Sequence, residues 1–505
     1  MRQLVLAAIL FALTSVASAQ VVPERLERYV TNALNAWGVP GLAIAIVRND
    51  SVVLTRGYGV RTVGGLDPIT ETTVFGIGSI TKSFTATVLA MLADSGLVTW
   101  DDPVTRHLPG FRMPDPWTTD LVTVRDLLAH RTGLAGSDFV WYASRHSRAE
   151  LTRRIRFMRP LVPFRTGLSY NNVMYVAAGE LAQAVSGQSW DDLVTQRILT
   201  PLRMTRTSTR AADLPVDDDI ATPHARIRDT IRTIDRPVLE NLGAAGAMGS
   251  TATDLARWLR FLLGRGRIDS QRFASAGRIA ELFTPQLMLA GEGTPPIDTA
   301  AIRPTHFEAY GLGWFLKDYH GRLVAEHEGN VDGMSAAIAL IPEARIGVAV
   351  LSNLHNTALP GLLADWIIDR ELGAPDLDRS AIGLRRTAAR RDGLASRESR
   401  LLGSRRPNTS PSLPLDAYAG VYRDSLYGDL TVSRVGDGLV ARLGPGLSGS
   451  LEHWHHDIFR AHWSPAMWGS AFLTFRLSPT GRIDGFEIEL GGEPAPFTFR
   501  RDDRP

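Results

Sequence analysis

Apolar residues recur at helical spacing from Glu24 to Trp37, with Leu26, Val30, Leu34 and Trp37 on one face. Gly38 and Pro40 end the run. Two strand-like stretches, LAIAIV and SVVLTRGYGV, then flank Asn49-Asp50, a hairpin signal. The pattern next predicts helices over Thr81–Ser95, stopped by Gly96, over Val124–Ala129, and over Val173–Val185, capped by Gly187. A further helix is predicted over Ala252–Leu263, where Ser250 or Thr251 can serve as N-cap. Strands follow at 336–342 and 346–352, and a last helix at Leu359–Leu372 ends at Gly373. Strands near both ends with helices between them imply an α+β domain whose mostly antiparallel sheet has its edges joined late.

Beyond Gly373 the pattern changes twice. Residues 374–412 show no periodicity and are rich in Arg, Ser and Pro, which predicts a linker. From 413 to 505 short alternating strands are separated by turns such as Gly436-Asp437-Gly438 and Pro479-Thr480-Gly481, the pattern of a small all-β barrel or sandwich. A chain of 505 residues is too long for one ordinary core, so two folded domains, 20–373 and 413–505, fit its length. The first 19 residues read as a cleavable export signal. Arg2 precedes a short apolar run from Leu4 to Leu13, and Ala17-Ser18-Ala19 supplies the small-x-small pattern. The run falls short of the roughly 20 residues that span a bilayer. A secreted or periplasmic protein without transmembrane segments is therefore expected.

The chain has no cysteine, which excludes disulfides, thiolate nucleophiles and cysteine-bound metals. The formal net charge is +2. Much of the basic excess lies between Arg379 and Arg406, read as a solvated charge block, and no nucleic-acid motif accompanies it. Lys82 and Lys317 are the only lysines; every other basic residue except the histidines is arginine. Arginine keeps its proton at any working pH, whereas a partly buried lysine can lose it, so a lysine retained in such a chain invites attention.

Lys82 lies three residues after Ser79, where the turn Gly76-Ile77-Gly78 meets a predicted helix. On a helix, positions three apart share a face, so hydroxyl and amine can meet. A serine hydroxyl becomes a useful nucleophile once a neighbour takes its proton. The competing Gly-x-Ser-x-Gly elbow occurs nowhere in the chain. Two further segments carry candidate chemistry. In Gly167-Leu168-Ser169-Tyr170-Asn171-Asn172, Tyr170 can relay a proton if nearby cations lower its pKa, and Asn172 can donate to a substrate carbonyl or orient the lysine. In His327-Glu328-Gly329, a strand-edge histidine can hydrogen-bond substrate while the glycine lets the backbone come close. Each segment alone is also what an ordinary turn or surface histidine would look like.

Together these segments resemble the class C β-lactamase and penicillin-binding-protein superfamily, in its branch of β-lactamase-related serine hydrolases. The resemblance runs from about Leu26 to Arg370. FGIGSITKSFTATVLAMLADSGL, LLAHRTGL, YNNVMYVAAGELAQAVSG, GSTATDLARW, YGLGWFL and HEGNVDGM carry it in order. It implies a transpeptidase-like sheet flanked by helices with a helical subdomain. It implies Ser79 as the acylated nucleophile, Lys82 as base or its electrostatic partner, and Tyr170 as second proton carrier. It places an oxyanion hole at the backbone N–H groups of Ser79 and Asn330, with His327 and Gly329 in one wall. The β-lactamases proper begin that wall with Lys-Thr-Gly. A histidine there, with a reference pKa of about 6.5, is mostly neutral at pH 7 and ill suited to a β-lactam carboxylate. The departure points toward esterase or D-amino-acid-peptidase members. The tail resembles the lipocalin-like β domain often appended to these hydrolases, on AYAGVYRD, YGDLTV and LEHWHHDIFRAHW.

The expected activity is hydrolysis of an amide, ester or lactam carbonyl in a small-molecule or peptide substrate, with no cofactor. A metal at the histidine-rich segment around His453 and His455 is not expected, since no acidic pair completes a shell. Two rival functions use the same residues differently. A sensor or penicillin-binding protein would acylate Ser79 without turnover, and a scaffold would use the β domain to hold a ligand. Lys317 lies outside every motif, so Lys317→Arg is predicted to be nearly silent.

Overall fold

The computed structural model describes residues 23–142, 144–210, 219–289, 305–490 and 493–502. The segment read as an export signal lies outside them. The first helix, α1 (Pro23–Trp37), is followed by the hairpin β1 (Gly41–Arg48) and β2 (Ser51–Gly59). Its turn residues Asn49 and Asp50 both take left-handed φ values, 49° and 67°, as a two-residue turn between twisted strands requires. The later strands are β3 (Leu287–Met288), β4 (Glu308–Tyr310), β5 (Phe315–Tyr319), β6 (Arg322–Val331), β7 (Met334–Ile341) and β8 (Ile346–Ser352). They form one eight-stranded sheet in the order β2-β1-β8-β7-β6-β5-β4-β3. The late strand β8 pairs antiparallel with the early β1, Ala45 opposite Ala349, so the sheet closes late, as the strand pattern implies.

Alternation on β1 assigns its two faces. Leu42, Ile44 and Ile46 pack with Leu26, Val30, Trp366 and Ile367 of α1 and α5 (Leu359–Glu371). Ala43, Ala45 and Val47 pack into a larger cluster with Leu255 and Leu259 of α4 (Ala252–Leu263). Deep within that cluster runs α2 (Thr81–Asp94), buried at every position from Thr81 to Ala93. It therefore shows no single apolar stripe. Helix α3 (Asn172–Ser186) begins under an Asn171 side-chain cap and ends at Gly187 with φ +73°.

The stretch expected to be an irregular linker is largely a helix, α6 (Arg379–Gly403). Asp378 caps it on Ala381 N–H at 2.9 Å. Only Ser380 and Gly383 are buried; a side chain at Gly383 would strike Leu362, and the Trp37 indole donates to Ser380 Oγ at 3.0 Å. A helix that buries residues only in its first turns has no apolar repeat to read, and its Arg, Ala and Leu content carries the rest by propensity. At its far end Glu398 meets Arg460 at 2.7 Å.

The tail is a barrel rather than a sandwich. Eight antiparallel strands between Gly420 and Arg501 follow one another in sequence order, and the last closes on the first through Tyr422–Arg501 and Arg423–Arg500. Its interior is filled by Tyr418, Tyr422, Phe459, Phe475, Phe486 and Phe499 in mutual ring contact. That packing leaves little support for a scaffold whose barrel holds a ligand in the lipocalin manner. Among the described residues no helix is long and apolar enough to cross a membrane.

Candidate functional site

Ser79 sits in a single 3-10 turn, Gly78–Ile80, that runs directly into α2. Lys82, in the first turn of α2, is wholly buried. Its Nζ lies 3.0 Å from Ser79 Oγ and 2.7 Å from both Asn172 Oδ1 and the Ala245 carbonyl. The rings of Tyr170 and Tyr175 lie 4.9 and 5.4 Å from it. Burial disfavours the ammonium and brings the pKa of Lys82 down to about 7, against the opposing pull of Asp138.

Asn172 bonds within the protein through both ends of its amide while still lining the cleft. Its Oδ1 accepts from Lys82, and its Nδ2 donates to Asp138 Oδ1 at 3.0 Å. Of the two roles expected for it, orienting the lysine is seen directly, and the second Nδ2–H is left for a substrate carbonyl. Asp138 also accepts from the Trp141 indole at 2.7 Å, and burial raises its pKa. The sequence offered no signal for Asp138, which reaches the site from a loop 34 residues before Asn172.

Tyr170 packs against the His130 ring at 4.1 Å and lines the same recess as Ser79. The expectation that cations lower the Tyr170 pKa is reversed. Burial raises it well above the ordinary phenol value, partly offset by the neighbouring Ser79 side chain. The amine beside its ring, that of Lys82, is itself driven toward the neutral form. His130 belongs to the LLAHRTGL block but had no role assigned; its Nδ1 accepts from Asn171 N–H at 3.1 Å, fixing the segment that carries Tyr170.

His327 is buried, and both ring nitrogens are used within the protein. Nδ1 faces the Glu328 carbonyl at 2.6 Å, so it carries the hydrogen, and Nε2 accepts from the Tyr310 hydroxyl at 3.1 Å. Burial, helped by Lys82, lowers its pKa to about 3. It is a neutral wall, with no ring nitrogen left to bond a substrate.

The strand it belongs to has an open edge. Strand β5 pairs with β6 only as far as Phe315 opposite Glu326, leaving 327–331 uncovered on that side. Strand β7 pairs with the other side up to the two-residue turn at Asp332-Gly333. Counting back from that turn, alternate residues point their backbone groups outward, and Asn330 is one of them. A Cβ on Gly78 would lie 2.6 Å from Asn330 N, and one on Gly329 would collide with the Ile77 carbonyl and lie 3.2 Å from Ser79 N. The two glycines thus allow the turn and the strand to come together, bringing the N–H groups of Ser79 and Asn330 side by side.

Ser79 and Asn330 are shared by two recesses. One, of about 530 Å³, is lined by Tyr170, His327, Phe315 and a charged group of Lys317, Glu326, Glu328 and Asp365. The other, of about 370 Å³, is lined by Asp138, Trp141, Tyr142, Leu239, Leu242 and two barrel residues, Met467 and Trp468. Lys317 is therefore part of the cleft and not an isolated surface residue. Its Nζ contacts Glu326 at 2.7 Å and Asp365 at 3.7 Å. Although burial acts to lower its pKa, these carboxylates hold it above the ordinary lysine value. In the histidine-rich barrel segment, His453 Nε2 meets the His456 carbonyl at 2.8 Å and His462 Nε2 meets Glu452 at 3.0 Å.

An antiparallel sheet with helices on both faces, and a serine, a neutral-leaning lysine and a tyrosine converging beside paired backbone N–H groups, define a serine hydrolase of the penicillin-recognising type. The chain belongs to the β-lactamase family, which residues 26–371 match; residues 404–503 match a domain of unknown function (DUF3471). An unguisins hydrolase of Aspergillus violaceofuscus is 31% identical over 438 residues, covering 80% of this chain and 75% of that protein. Protein flp of Staphylococcus aureus is 27% identical over 349 residues, 67% of this chain and 65% of its own length. The octameric penicillin-binding protein homologue from Pyrococcus abyssi superposes with a TM-score of 0.62 at 23% identity, over 94% of this chain and 99% of that one. A D-stereospecific amidohydrolase from Streptomyces sp. gives 0.55 at 23% identity, over 69% of this chain and 98% of that one. At such identities these structural likenesses establish the fold.

Proposed function

We propose that the protein cleaves amide or ester bonds in small peptides and amino-acid derivatives through an acyl-enzyme on Ser79. The observation that carries this reading is the set of acceptors around Lys82. A neutral amine has two N–H bonds and one lone pair. Asn172 Oδ1 and the Ala245 carbonyl can only accept, so they take both N–H bonds and leave the lone pair for the Ser79 hydroxyl. Lys82 removes that proton as Oγ attacks the carbonyl carbon. The oxyanion forms between the N–H groups of Ser79 and Asn330, each such donor being worth about 2.7–4 kcal/mol in the transition state. Tyr170, kept protonated by burial, donates to the leaving group and is reprotonated through Lys82. Water then attacks the acyl carbon by the reverse proton path.

Hydrolysis of β-lactams is disfavoured because, among the described residues, the cleft holds no uncommitted cation for their carboxylate: His327 is neutral and Lys317 is paired. The fold likeness to a D-stereospecific amidohydrolase supports amides of D-amino acids as the class to try first. Residues 1–19 support action after export.

The test is purified protein with a fluorophosphonate, an activated ester and D-amino-acid amides. Ser79→Ala is expected to lose the covalent mass adduct and about 10⁴-fold or more in kcat with its circular dichroism unchanged. Equal turnover by wild type and Ser79→Ala would refute the reading. A stable acyl adduct without product would favour the sensor.

A further inference from the structure

The cleft has two arms, and one is completed by a domain the chemistry does not need. The arm lined by Met467 and Trp468 contains residues from both ends of the chain, more than 300 positions apart in sequence. Trp468 is held there by packing: its ring lies 4.3 Å from that of Tyr142 and 4.8 Å from that of Phe139. The Tyr142 hydroxyl donates to Asp332 Oδ2 at 2.5 Å, tying this wall to the turn that follows Asn330. The barrel is fixed at other points by charge-assisted bonds. Arg154 donates to the carbonyls of Ser425 and Leu426 at 2.8 and 2.7 Å. Arg159 donates to those of Ala495 and Pro496 at 3.0 and 2.7 Å, and its guanidinium lies 3.8 Å from the Phe497 ring centroid. The loop bearing Trp468 thus projects from a clamped body.

The proton path orients the substrate. Tyr170 lines the arm that contains Lys317 and does not line the arm that contains Trp468. A leaving group that takes its proton from Tyr170 must occupy the first arm, so the acyl portion, bonded to the same carbon at Ser79, extends into the second. At about 370 Å³, that arm lies near the lower end of the roughly 300–1,000 Å³ usual for small-molecule sites. Asp138, Asn172, Asp332, His355 and Asn356 make one side of it polar, and Trp141, Leu239, Leu242 and Trp468 offer an apolar side that suits one large apolar side chain.

Resting on the assignment of Ser79 as nucleophile, we propose that the C-terminal barrel is a working part of the active site: Met467 and Trp468 close the acyl arm and select acyl groups with an aromatic or large aliphatic side chain. Removing the indole takes away one face of the pocket. A small acyl group makes no use of that face, so discrimination is what should change.

The experiment uses the full chain and two p-nitrophenyl esters, 3-phenylpropionate and acetate. Wild type is expected to favour phenylpropionate in kcat/KM. In Trp468→Ala the ratio of the two kcat/KM values should fall about tenfold or more, chiefly through a higher KM for phenylpropionate, and Trp468→Phe should restore most of it. Met467→Ala, a milder cut in the same wall, should lower the ratio by a smaller factor; it decides the matter if Trp468→Ala fails to fold. A ratio unchanged in the soluble variants, or a wild type without preference, would overturn the proposal. So would an equal loss on both esters, because that would make Trp468 a structural support for the Phe139 and Asp138 loop. Failure of the Ser79 assignment is read separately, from hydrolysis of either ester by Ser79→Ala.

Discussion

Two lysines line one cleft and differ in their charge. Lys82 is wholly buried and Lys317 mostly so, yet the first is brought to a pKa of about 7 and the second is held above the ordinary value. What separates them is the neighbourhood. Lys82 touches a hydroxyl, an amide oxygen and a carbonyl, and reaches a carboxylate only through Asn172. Lys317 touches Glu326 directly, with Asp365 close by. Neutral acceptors satisfy an amine without stabilising its charge; carboxylates do both. Burial supplies the cost of charge, and the partners decide whether it is borne.

The comparison is broken most severely by taking away the ability of Lys82 to lose its proton. Lys82→Arg preserves a cation next to Ser79 but cannot accept a proton, and its planar fork exceeds the space of an ammonium. The expected loss is about 10²–10⁴-fold in kcat on an activated ester, with a smaller change in KM. Retention of more than about a tenth of wild-type kcat would show that Lys82 acts by charge alone.

A smaller effect comes from pH. Because the working form of Lys82 is neutral, kcat/KM should rise with pH, by about tenfold per unit below the pKa of about 7 and levelling above it. A rate on a non-ionising ester that is flat from pH 5 to pH 9 would contradict the assigned base.

The smallest effects belong to Lys317. Lys317→Met strips the counter-charge from Glu326, while Asp365 keeps Arg379 at 3.7 Å, and should cost about 2 kcal/mol in urea unfolding at pH 7. The sign of its pH dependence follows from the raised pKa. The contribution is fully present below the unfolded lysine value of about 10.4 and fades as pH climbs through the folded value. The gap between wild type and Lys317→Met should therefore hold up to about pH 10 and narrow above it. Lys317→Arg keeps the charge and should cost less than about 1 kcal/mol. Because Lys317 lines the leaving-group arm, the substitution is no longer expected to be silent toward every substrate; KM for cationic leaving groups is the parameter to follow.

How much of this could be read beforehand depended on distance along the chain. Ser79 and Lys82 were legible because one helical turn separates them, and Asn172 because it follows Tyr170 so closely. The sheet and its helices were legible because β1, β7 and β8 are near-unbroken apolar runs and α4 carries its helical period openly. Asp138, Lys317 and Trp468 were not, since each reaches the cleft only through long-range packing and belongs to no local pattern. Tyr170 was identified but its ionisation was misjudged, because proximity to a lysine says nothing about whether that lysine keeps its charge. Helix α6 was missed because an exposed helix and a charged linker share a composition.

The uncovered edge of β6 has a further consequence for the protein's neighbours. Unpaired strand edges invite other chains to add on, which is how sheets propagate into aggregates. Here the exposed stretch is only 327–331, recessed between Tyr170 and the loop that carries Trp468. A folded protein cannot lower a strand into so narrow a slot, whereas a short peptide or a loose chain end can. For the peptide substrates proposed above, the same recess restricts the protein to chains already unravelled or cut.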